Sequence, residues 1–271
     1  MSDERQRTAV VTGVSSGLGR MTAERLASEG WEVLGTVRRP VIDLPFDTFR
    51  LDVTDDDGVS RLGRVVAERW GRLDALINNA GTAMLGPVEE MTSPELRLNL
   101  DVNLVAPLAL VRACLPSLRA AGGAVVQVSS VSGFTAFGLF TAYHASKWGL
   151  EGATEALLAE VKAQGVRVVL IEPGTFRTEI AAKASMVAAR GSTNLYDDGW
   201  RRVDDFQEWL CNDSPDASGC ITAIVAAASR SDAPLRVPVG AGTTDQLRER
   251  AAAYLAAADQ ADAFLASVTE A

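Results

Sequence analysis

The chain has 271 residues, 47% of them hydrophobic and 23% charged, a composition typical of a globular protein with a sizeable core. Its formal net charge is −9 and no cluster of lysine or arginine occurs, so we expect no nucleic-acid partner. The start, MSDERQRTAVV, has no signal-peptide pattern, and no uncharged apolar stretch reaches the ~20 residues of a membrane span. Cys114, Cys211 and Cys220 lack metal-ligand spacing, which predicts reduced thiols and no metal site. Together with the missing signal pattern and membrane span, this usage predicts a cytoplasmic protein without membrane contact.

Short β-rich runs alternate with longer helical patterns along the chain. The predicted strands are 8–13, 31–37, 49–53, 74–81, 124–130, 166–174 and 235–240. The predicted helices are 18–29, 56–70, 94–120, 142–164 and 215–229. Several strands are almost continuously apolar, as expected where helices cover both faces of a sheet. The alternation predicts one α/β domain over 1–271, a doubly wound parallel sheet of about seven strands with helices on both faces.

The alternation is interrupted once, between residues 178 and 215. This stretch mixes aromatic and aliphatic residues with glycine and aspartate, and it is too long for a plain connection. Parallel sheets bind ligands beyond the carboxyl ends of their strands. We therefore interpret 178–215 as an irregular insertion that covers a substrate there.

The first strand ends in a glycine-rich turn, TGVSSGLG at 12–19, which opens the first helix. Gly13, Gly17 and Gly19 permit a positive φ angle or a close backbone approach. The start of the helix offers free N–H groups and a positive dipole end to a phosphate. Such glycines also occur as plain turn residues, but their position on the first strand of an α/β chain favours a dinucleotide.

The second strand ends in GTVRR. NAD-binding chains place an acid near this point to hold the ribose hydroxyl, whereas this chain has Val37 followed by Arg38 and Arg39. Two guanidinium groups favour the additional phosphate of NADP(H). The alternative is that both arginines are solvated surface charges.

The segment YHASK at 143–147 places Tyr143 and Lys147 one turn apart on the same face of a predicted helix. A phenol has a pKa of ~10, which a nearby ammonium lowers, and a phenol tuned in this way is suited to carbonyl/alcohol interconversion. The spacing alone is common on helices. It gains weight because Ser130, thirteen residues earlier at the end of a strand, can hydrogen-bond a substrate oxygen. His144 is rotated ~100° away from that face, so we expect a satisfied or surface histidine.

Pro107 lies four residues after Asn103 in the predicted helix 94–120. Because proline has no N–H, the carbonyl of Asn103 lacks its usual helical donor and is free to accept from a water. The alternative is that Pro107 kinks or ends the helix.

With these residues, the chain resembles the short-chain dehydrogenase/reductase family over nearly its whole length. The matching motifs are TGxxxGxG at 12–19, NNAG at 78–81, Ser130 with YxxxK at 143–147, and PGxxxT at 173–178. The resemblance implies a Rossmann-type fold and an NADP(H)-dependent enzyme. Such an enzyme transfers hydride between nicotinamide and a ketone, an aldehyde or a secondary alcohol.

The roles known in the family carry over to matching positions. They make Tyr143 the general acid/base, Lys147 its cationic partner and a ribose ligand, Ser130 the donor to the substrate carbonyl, and Asn103 part of a water-linked proton relay. The implied cofactor-binding residues are Gly13, Ser15, Ser16, Gly17, Leu18, Gly19, Arg38, Arg39, Asp52, Val53, Asn79, Ala80, Gly81, Tyr143, Lys147, Pro173, Gly174 and Thr178.

Three aromatic residues, Phe134, Phe137 and Phe140, precede the tyrosine and predict a pocket for an apolar or ring-bearing small molecule. A carboxylate-bearing substrate stays open because arginines follow nearby. They are Arg177, Arg190, Arg201 and Arg202.

Two other functions fit the same fold. One is a non-catalytic NADP(H)-binding regulator or scaffold, which the intact set of Ser130, Tyr143, Lys147 and Asn103 disfavours. The other is an epimerase or dehydratase that uses the same tyrosine, which the glycine spacing disfavours because those relatives have TGxxGxxG. The resemblance also implies a homodimer or homotetramer built through the long helices 94–120 and 142–164.

Overall fold

A computed structural model describes residues 5–176, 185–187 and 190–269, and its centre is a parallel β-sheet. Seven strands form this sheet: β1 Thr8–Val11, β2 Glu32–Val37, β3 Asp47–Arg50, β4 Ala75–Asn78, β6 Ala124–Val128, β7 Arg167–Pro173 and β9 Arg236–Val239. Their order is β3-β2-β1-β4-β6-β7-β9, and each neighbouring pair is parallel. Two short strands, β5 Met84–Leu85 and β8 Ser185–Met186, pair outside it.

Helices cover both faces of the sheet. They are α1 Gly17–Ser28, α2 Asp56–Trp70, α3 Ser93–Leu100, α4 Ala106–Ala121, α5 Thr141–Val161, α6 Asp197–Asn212, α7 Ser218–Ser229 and α8 Thr243–Thr269. A π-helical turn, Asp101–Val105, joins α3 to α4. The predicted doubly wound α/β fold is confirmed, and the ends of the predicted strands and helices differ from the observed ones by at most three residues.

The apolar runs of the central strands are buried on both sides, as their sequences predict. Every residue of β1, β4 and β6 is buried. One core includes Leu26 of α1 and Ile224 of α7, and the other includes Leu62 of α2 and Leu110 of α4. Each such side chain contributes roughly 1.5–3 kcal/mol relative to an exposed one. Burial on both faces therefore fixes the sheet as a rigid support for the loops at its edge.

The order in which successive strands are added to the sheet reverses between β1 and β4. From β1 the strands β2 and β3 follow on one side, and from β4 the strands β6, β7 and β9 follow on the other. Loops that leave two such strands diverge, which opens a crevice at their carboxyl ends where ligands bind. The motifs at 12–19 and 78–81 both border this crevice.

The helical run Ser93–Ala121 is long and apolar enough, by length and composition, to cross a membrane. In this fold α4 packs against α2 and against β4 and β6. A core helix of a globular fold passes the same test of length and composition, and the buried residues of α4 account for its apolar character.

Two helices were absent from the sequence prediction. The stretch predicted as an irregular insertion, 178–215, contains the sixteen-residue helix α6 and the short strand β8. The other is α8, which follows the last predicted strand and has 27 residues. Residues 177–184 and 188–189 lie outside the described residues, so the structure leaves that part of the predicted insertion undescribed.

Candidate active site

The glycine-rich turn after β1 leaves no room for side chains at two positions. Gly13 has φ +73°, and a Cβ there would lie 3.0 Å from Cα of Ala80. At Gly19 a Cβ would lie 2.2 Å from Nδ2 of Asn79 and 2.6 Å from the carbonyl oxygen of Gly13. Ser15 and Ser16 precede the first helical residue, Gly17. This side-chain-free turn at a helix start fits the phosphates of a dinucleotide.

Hydrogen bonds tie this turn to the end of β4. The hydroxyl of Thr12 accepts from the backbone N–H groups of Asn79 and Ala80, both at 2.9 Å. In return, Nδ2 of Asn79 donates to the carbonyl oxygen of Thr12 at 2.9 Å. The loops that border the crevice are therefore held together by residues of the two motifs predicted to bind the cofactor.

Arg38 and Arg39 follow β2 at the same edge of the sheet, and both are exposed. In the described part of the chain, no carboxylate lies within ion-pair distance of either guanidinium. Asp52 accepts from the backbone N–H of Thr54 at 3.1 Å, and this hydrogen bond, with help from Arg38, lowers the pKa of Asp52. Val53 beside it is buried. Two exposed arginines without a carboxylate ion-pair partner among the described residues fit the phosphate of a phosphorylated adenosine ribose.

Tyr143 and Ser130 meet at the carboxyl end of β6. The first turn of α5 presents the half-buried phenol, and the hydroxyl of Ser130 hydrogen-bonds it. Burial raises the pKa of Tyr143, and the Ser130 hydrogen bond opposes that rise. The lowering expected from Lys147 together with an oxidised nicotinamide is not seen in the cofactor-free chain, where burial outweighs the Ser130 hydrogen bond. The phenol stays protonated at neutral pH and can donate a proton.

Lys147 lies one helical turn beyond the tyrosine and is buried. Its ammonium donates to the carbonyl oxygen of Val128 at 3.0 Å and lies 5.8 Å from the ring centroid of Tyr143. Burial lowers the pKa of Lys147 to about 8, while the negative charge of Glu151 opposes the fall. The cation is therefore largely present at pH 7, at a distance where it favours charge developing on the phenol.

Asn103 lies in the π-helical turn and is almost fully buried. Its Nδ2 donates to the carbonyl oxygen of Thr82 at 2.8 Å and to the hydroxyl of Ser146 at 3.0 Å, and its Oδ1 accepts from the N–H of Thr82. Ser146 in turn donates to the carbonyl oxygen of Tyr143 at 2.7 Å. The side chain thus links the loop after β4 to the catalytic helix. Because these hydrogen bonds engage the side chain of Asn103, a proton relay through this residue would use its backbone carbonyl.

The helix continues through Pro107, the second residue of α4, so this proline does not end it. The irregularity expected from the missing N–H appears instead as the π-helical turn directly before it, where the N–H of Ala106 bonds to the carbonyl of Asp101. Single π turns inside α-helices are frequent at functional sites.

The only histidine has a structural position. Nδ1 of His144 lies 3.0 Å from the carbonyl oxygen of Ser132, and Nε2 accepts from the backbone N–H of Phe137 at 3.2 Å. Because Nε2 accepts, Nδ1 carries the proton. Burial lowers the pKa of His144, which keeps the ring neutral. The prediction of a satisfied histidine is confirmed.

Behind Lys147 lies an acidic pair that sequence reasoning missed. Nη1 of Arg236 donates to Glu151 at 2.6 Å and to Glu172 at 2.5 Å, and both carboxylates are buried. The hydroxyl of Ser129 donates to Glu151. Burial raises the pKa of Glu172 to about 8, with a further rise from Glu151 and a reduction from Arg236. A proton held on Glu172 lets the two carboxyls share one guanidinium.

An apolar cluster packs against the tyrosine. Tyr143 and Phe140 pack against a cluster that includes Leu139 and Trp200. Leu139 has φ +66°, an uncommon conformation for a residue with a side chain, and it closes one wall of an open cavity of about 560 Å³. The cavity is lined by Pro87, Val88, Glu89, Gly138, Leu139, Leu195, Tyr196, Asp198, Gly199 and Arg202.

The three predicted mouth phenylalanines occupy different positions. Phe134 is buried, whereas Phe137 is 48% exposed and its ring packs against those of Phe140 and His144. Leu139, which lines the cavity, was not predicted, because it lies outside the recognised motifs. Tyr196, which also lines it, belongs to the stretch 178–215 that was predicted to cover a substrate.

The end of β7 completes the crevice. Pro173 is its last residue, and the N–H of Gly174 donates to the carbonyl oxygen of Val239 at 2.8 Å. Thr178, predicted to reach the nicotinamide carboxamide, and Arg177 lie outside the described residues.

Comparison with known proteins agrees with this geometry. The family model described as short chain dehydrogenase matches residues 7–187. A 3-ketodihydrosphingosine reductase of Bacteroides thetaiotaomicron is 31% identical over 238 residues, which span 85% of this chain and 87% of that protein. The crystal structure of a short-chain dehydrogenase from Streptomyces avermitilis superposes with a TM-score of 0.82, 33% identity and coverage of 96% of this chain and 97% of that chain. A short chain dehydrogenase from Burkholderia cenocepacia in complex with NADP superposes with a TM-score of 0.73 and 26% identity, and the match covers 94% of this chain and 97% of that chain.

Proposed function

The chain belongs to the short-chain dehydrogenase family of oxidoreductases, and we propose that it is an NADP(H)-dependent enzyme that interconverts an apolar or ring-bearing ketone or aldehyde and its alcohol. One observation carries the proposal. The protonated phenol of Tyr143 is hydrogen-bonded to Ser130 and lies beside the buried ammonium of Lys147, at the sheet edge that also holds the glycine-rich turn.

The arrangement supports a simple division of work among these residues. Bound nicotinamide supplies or accepts the hydride. Ser130 and Tyr143 hold the substrate oxygen between two hydroxyls, and Tyr143 gives its proton to that oxygen in reduction and takes it back in oxidation. The cation of Lys147 lowers the free energy of the phenolate left behind. The raised pKa of the free tyrosine suits the proton-donating, reductive direction.

The cofactor would be held by the side-chain-free turn, which receives the diphosphate on the N-terminus of α1. Asp52 and Val53 would hold the adenine, and Asn79 to Gly81 would line the cleft. Arg38 and Arg39 would bind the 2′-phosphate, since they have no carboxylate partner in the described part of the chain. The NADP carried by the Burkholderia cenocepacia relative supports the same choice.

Replacing Arg38 with alanine is expected to weaken NADPH binding about tenfold to a hundredfold and to leave NADH binding within about twofold. A charge-assisted hydrogen bond is worth about 1.5–3 kcal/mol, and only NADPH carries the phosphate that receives it. Fluorescence titration with each nucleotide measures both affinities. Arg61→Ala, which removes an exposed arginine on α2, is the matched control. An unchanged NADPH affinity in Arg38→Ala would contradict the assignment.

The substrate would enter over Leu139, between the catalytic hydroxyls and α6. The apolar cluster around Tyr143 and the adjoining cavity of about 560 Å³ support a substrate with an apolar body of moderate size. The name of the Bacteroides relative, a 3-keto reductase, is consistent with a ketone. Arg202 in the cavity wall offers a position for a carboxylate at the outer end of such a substrate.

A test of the proposed function begins with titration by NADPH and NADH and continues with ketones, aldehydes and alcohols graded by size and polarity. We expect NADPH-dependent reduction of apolar or cyclic carbonyl compounds, followed by absorbance of the reduced nicotinamide. Tight NADPH binding without turnover of any compound would favour the regulator instead. Equal use of NADPH and NADH would contradict the assignment of NADP(H) as the preferred cofactor and would leave the proposed reaction standing.

A further inference from the structure

The C-terminal helix α8 leaves the body of the protein after its first turns. It contacts β9 and the 3-10 turn Val131–Gly133, and the guanidinium of Arg250 lies 4.8 Å from the ring of Trp148 and 4.4 Å from the ring of Tyr254. Beyond this anchor, every residue from Ala251 to Val268 is exposed. Helices in proteins owe most of their stability to a packed apolar face, so this length of solvated helix calls for a partner.

The exposed helix carries a regular apolar stripe. Apolar residues recur at alternating intervals of four and three: Leu247, Ala251, Tyr254, Ala258, Ala261, Leu265 and Val268. An average interval of 3.5 residues is the repeat of a coiled coil, and it extends over three heptads. Tyr254 and Val268 are each 52% exposed, and the flanking Leu255 and Phe264 are 71% and 66% exposed. The stripe therefore faces solvent in the single chain.

We propose that this stripe pairs with the same stripe of a second copy of the chain, as an antiparallel two-helix coiled coil. With the two-fold axis near residue 256, Tyr254 packs on the partner's Ala258 and Leu247 on the partner's Leu265. The large ring of Tyr254 then packs on a small alanine. Beside the axis, Leu255 meets the partner's Leu255.

The flanking charges select this orientation. In the antiparallel register Arg248 lies opposite the partner's Asp262, and the two-fold axis repeats the contact. A parallel pair would place Arg250 beside the partner's Leu255 and Asp262 beside the partner's Ala257, with no opposite charges together. Both Arg248 and Asp262 are exposed, and among the described residues Arg248 forms an ion pair only with Asp245, one turn back.

The chemistry of the helix disfavours a lipid surface as the occupant. Residues 251–269 contain Asp259 and Asp262 and no lysine or arginine, whereas helices that lie on anionic membranes are rich in basic residues. The length of α8 also suits a second copy. Its 27 residues span about 40 Å, so an antiparallel pair places the two protein bodies at opposite ends of the rod.

Reversal and exchange of the charge pair test the proposal. Arg248→Asp and Asp262→Arg each place like charges in both symmetric contacts, whereas the double variant exchanges the charges and restores them. Sedimentation velocity of the full chain at low ionic strength, over a range of concentrations, measures the dissociation constant of the assembly. We expect each single variant to weaken assembly about tenfold and the double variant to return to within about threefold of the wild type.

Asp259→Arg is the matched control, because it reverses an acid on the outer face of the same helix and is expected to leave the dissociation constant unchanged. Circular dichroism establishes that all variants keep their helix content. If α4 and α5 form a second interface, the wild type assembles through both interfaces, and each single variant yields an assembly of half the wild-type mass. The comparison of variants with the wild type still reports the α8 interface. A monomeric wild type, single variants that assemble like the wild type, or a double variant as weak as the singles would each overturn the proposal.

Discussion

Replacing Tyr143 with phenylalanine is expected to lower kcat roughly 10²- to 10⁴-fold while NADPH affinity stays within about twofold. The substitution removes one oxygen and keeps the ring, so the packing of Tyr143 against the apolar cluster around Leu139 is retained. What is lost is the proton that neutralises the reduced oxygen. Ser130 keeps its hydroxyl, but a serine cannot replace a phenol as a proton donor near neutral pH.

The measurement compares single-turnover reduction in the variant and the wild type, with NADPH binding followed by fluorescence. Tyr254→Phe is the matched control, since Tyr254 lies on α8 and its hydroxyl only accepts from Arg250 at 3.1 Å. It should reduce substrate at the wild-type rate. If Tyr143→Phe retained more than about a tenth of the wild-type rate, the phenol would not be the proton donor. Loss of NADPH binding in this variant would indicate a structural role.

Replacing Arg236 with methionine is expected to destabilise the fold by about 3–5 kcal/mol at pH 8, the cost of leaving buried charge without its partner. Arg236 is the cation that bonds both Glu151 and Glu172, and the Glu172 side chain is fully buried. Methionine retains most of the apolar stem, so the loss reports the charge rather than the packing. Chemical denaturation of the two proteins measures the difference.

The same variant should become more sensitive to pH. Burial raises the folded pKa of Glu172 from 4.5 to about 8. A raised folded pKa stabilises the fold below pH 4.5, and this contribution is lost as pH rises through about 8. Arg236 lowers that pKa in the wild type, so removing it should raise the folded pKa further and extend the decline of stability above pH 8.

Arg69→Met provides the control for both measurements. Arg69 also binds two carboxylates, Glu32 and Asp47, each at 2.6 Å, but both of those acids are partly exposed to solvent. Exposed pairs contribute about 0–1 kcal/mol, so this variant should be nearly as stable as the wild type at every pH. Equal stability losses in Arg69→Met and Arg236→Met would show that burial of the acidic pair has no special cost.

The sequence predicted the sheet and the loops that border the crevice at its edge, because both rest on local patterns. Apolar runs identified the strands, and the motifs at 12–19, 78–81 and 143–147 identified the loops at their ends. The carboxyl edge of a parallel sheet then brings those loops together without any knowledge of side-chain packing.

Features that depend on distant contacts were not predictable in the same way. Glu172 and Arg236 are charged residues inside apolar strands, which was a signal of a buried pair, but their meeting depends on β7 lying beside β9 in one particular register. The raised pKa of Tyr143 in the cofactor-free chain was not predicted, because a motif gives the neighbouring charge and not the degree of burial. Helix α8 was missed because its apolar stripe covers no core of its own.

The position of Arg236 on the last strand also bears on how the chain folds. Arg236 is 85 residues beyond Glu151 and 64 beyond Glu172, so both acids emerge from the ribosome well before their counter-ion. Until β9 docks on β7, close packing of α5 against β7 leaves Glu151 and Glu172 without the guanidinium that they share in the folded chain. Since α5 also carries Tyr143 and Lys147, the helix that bears these two residues gains its full set of contacts only when the final strand has been added to the sheet.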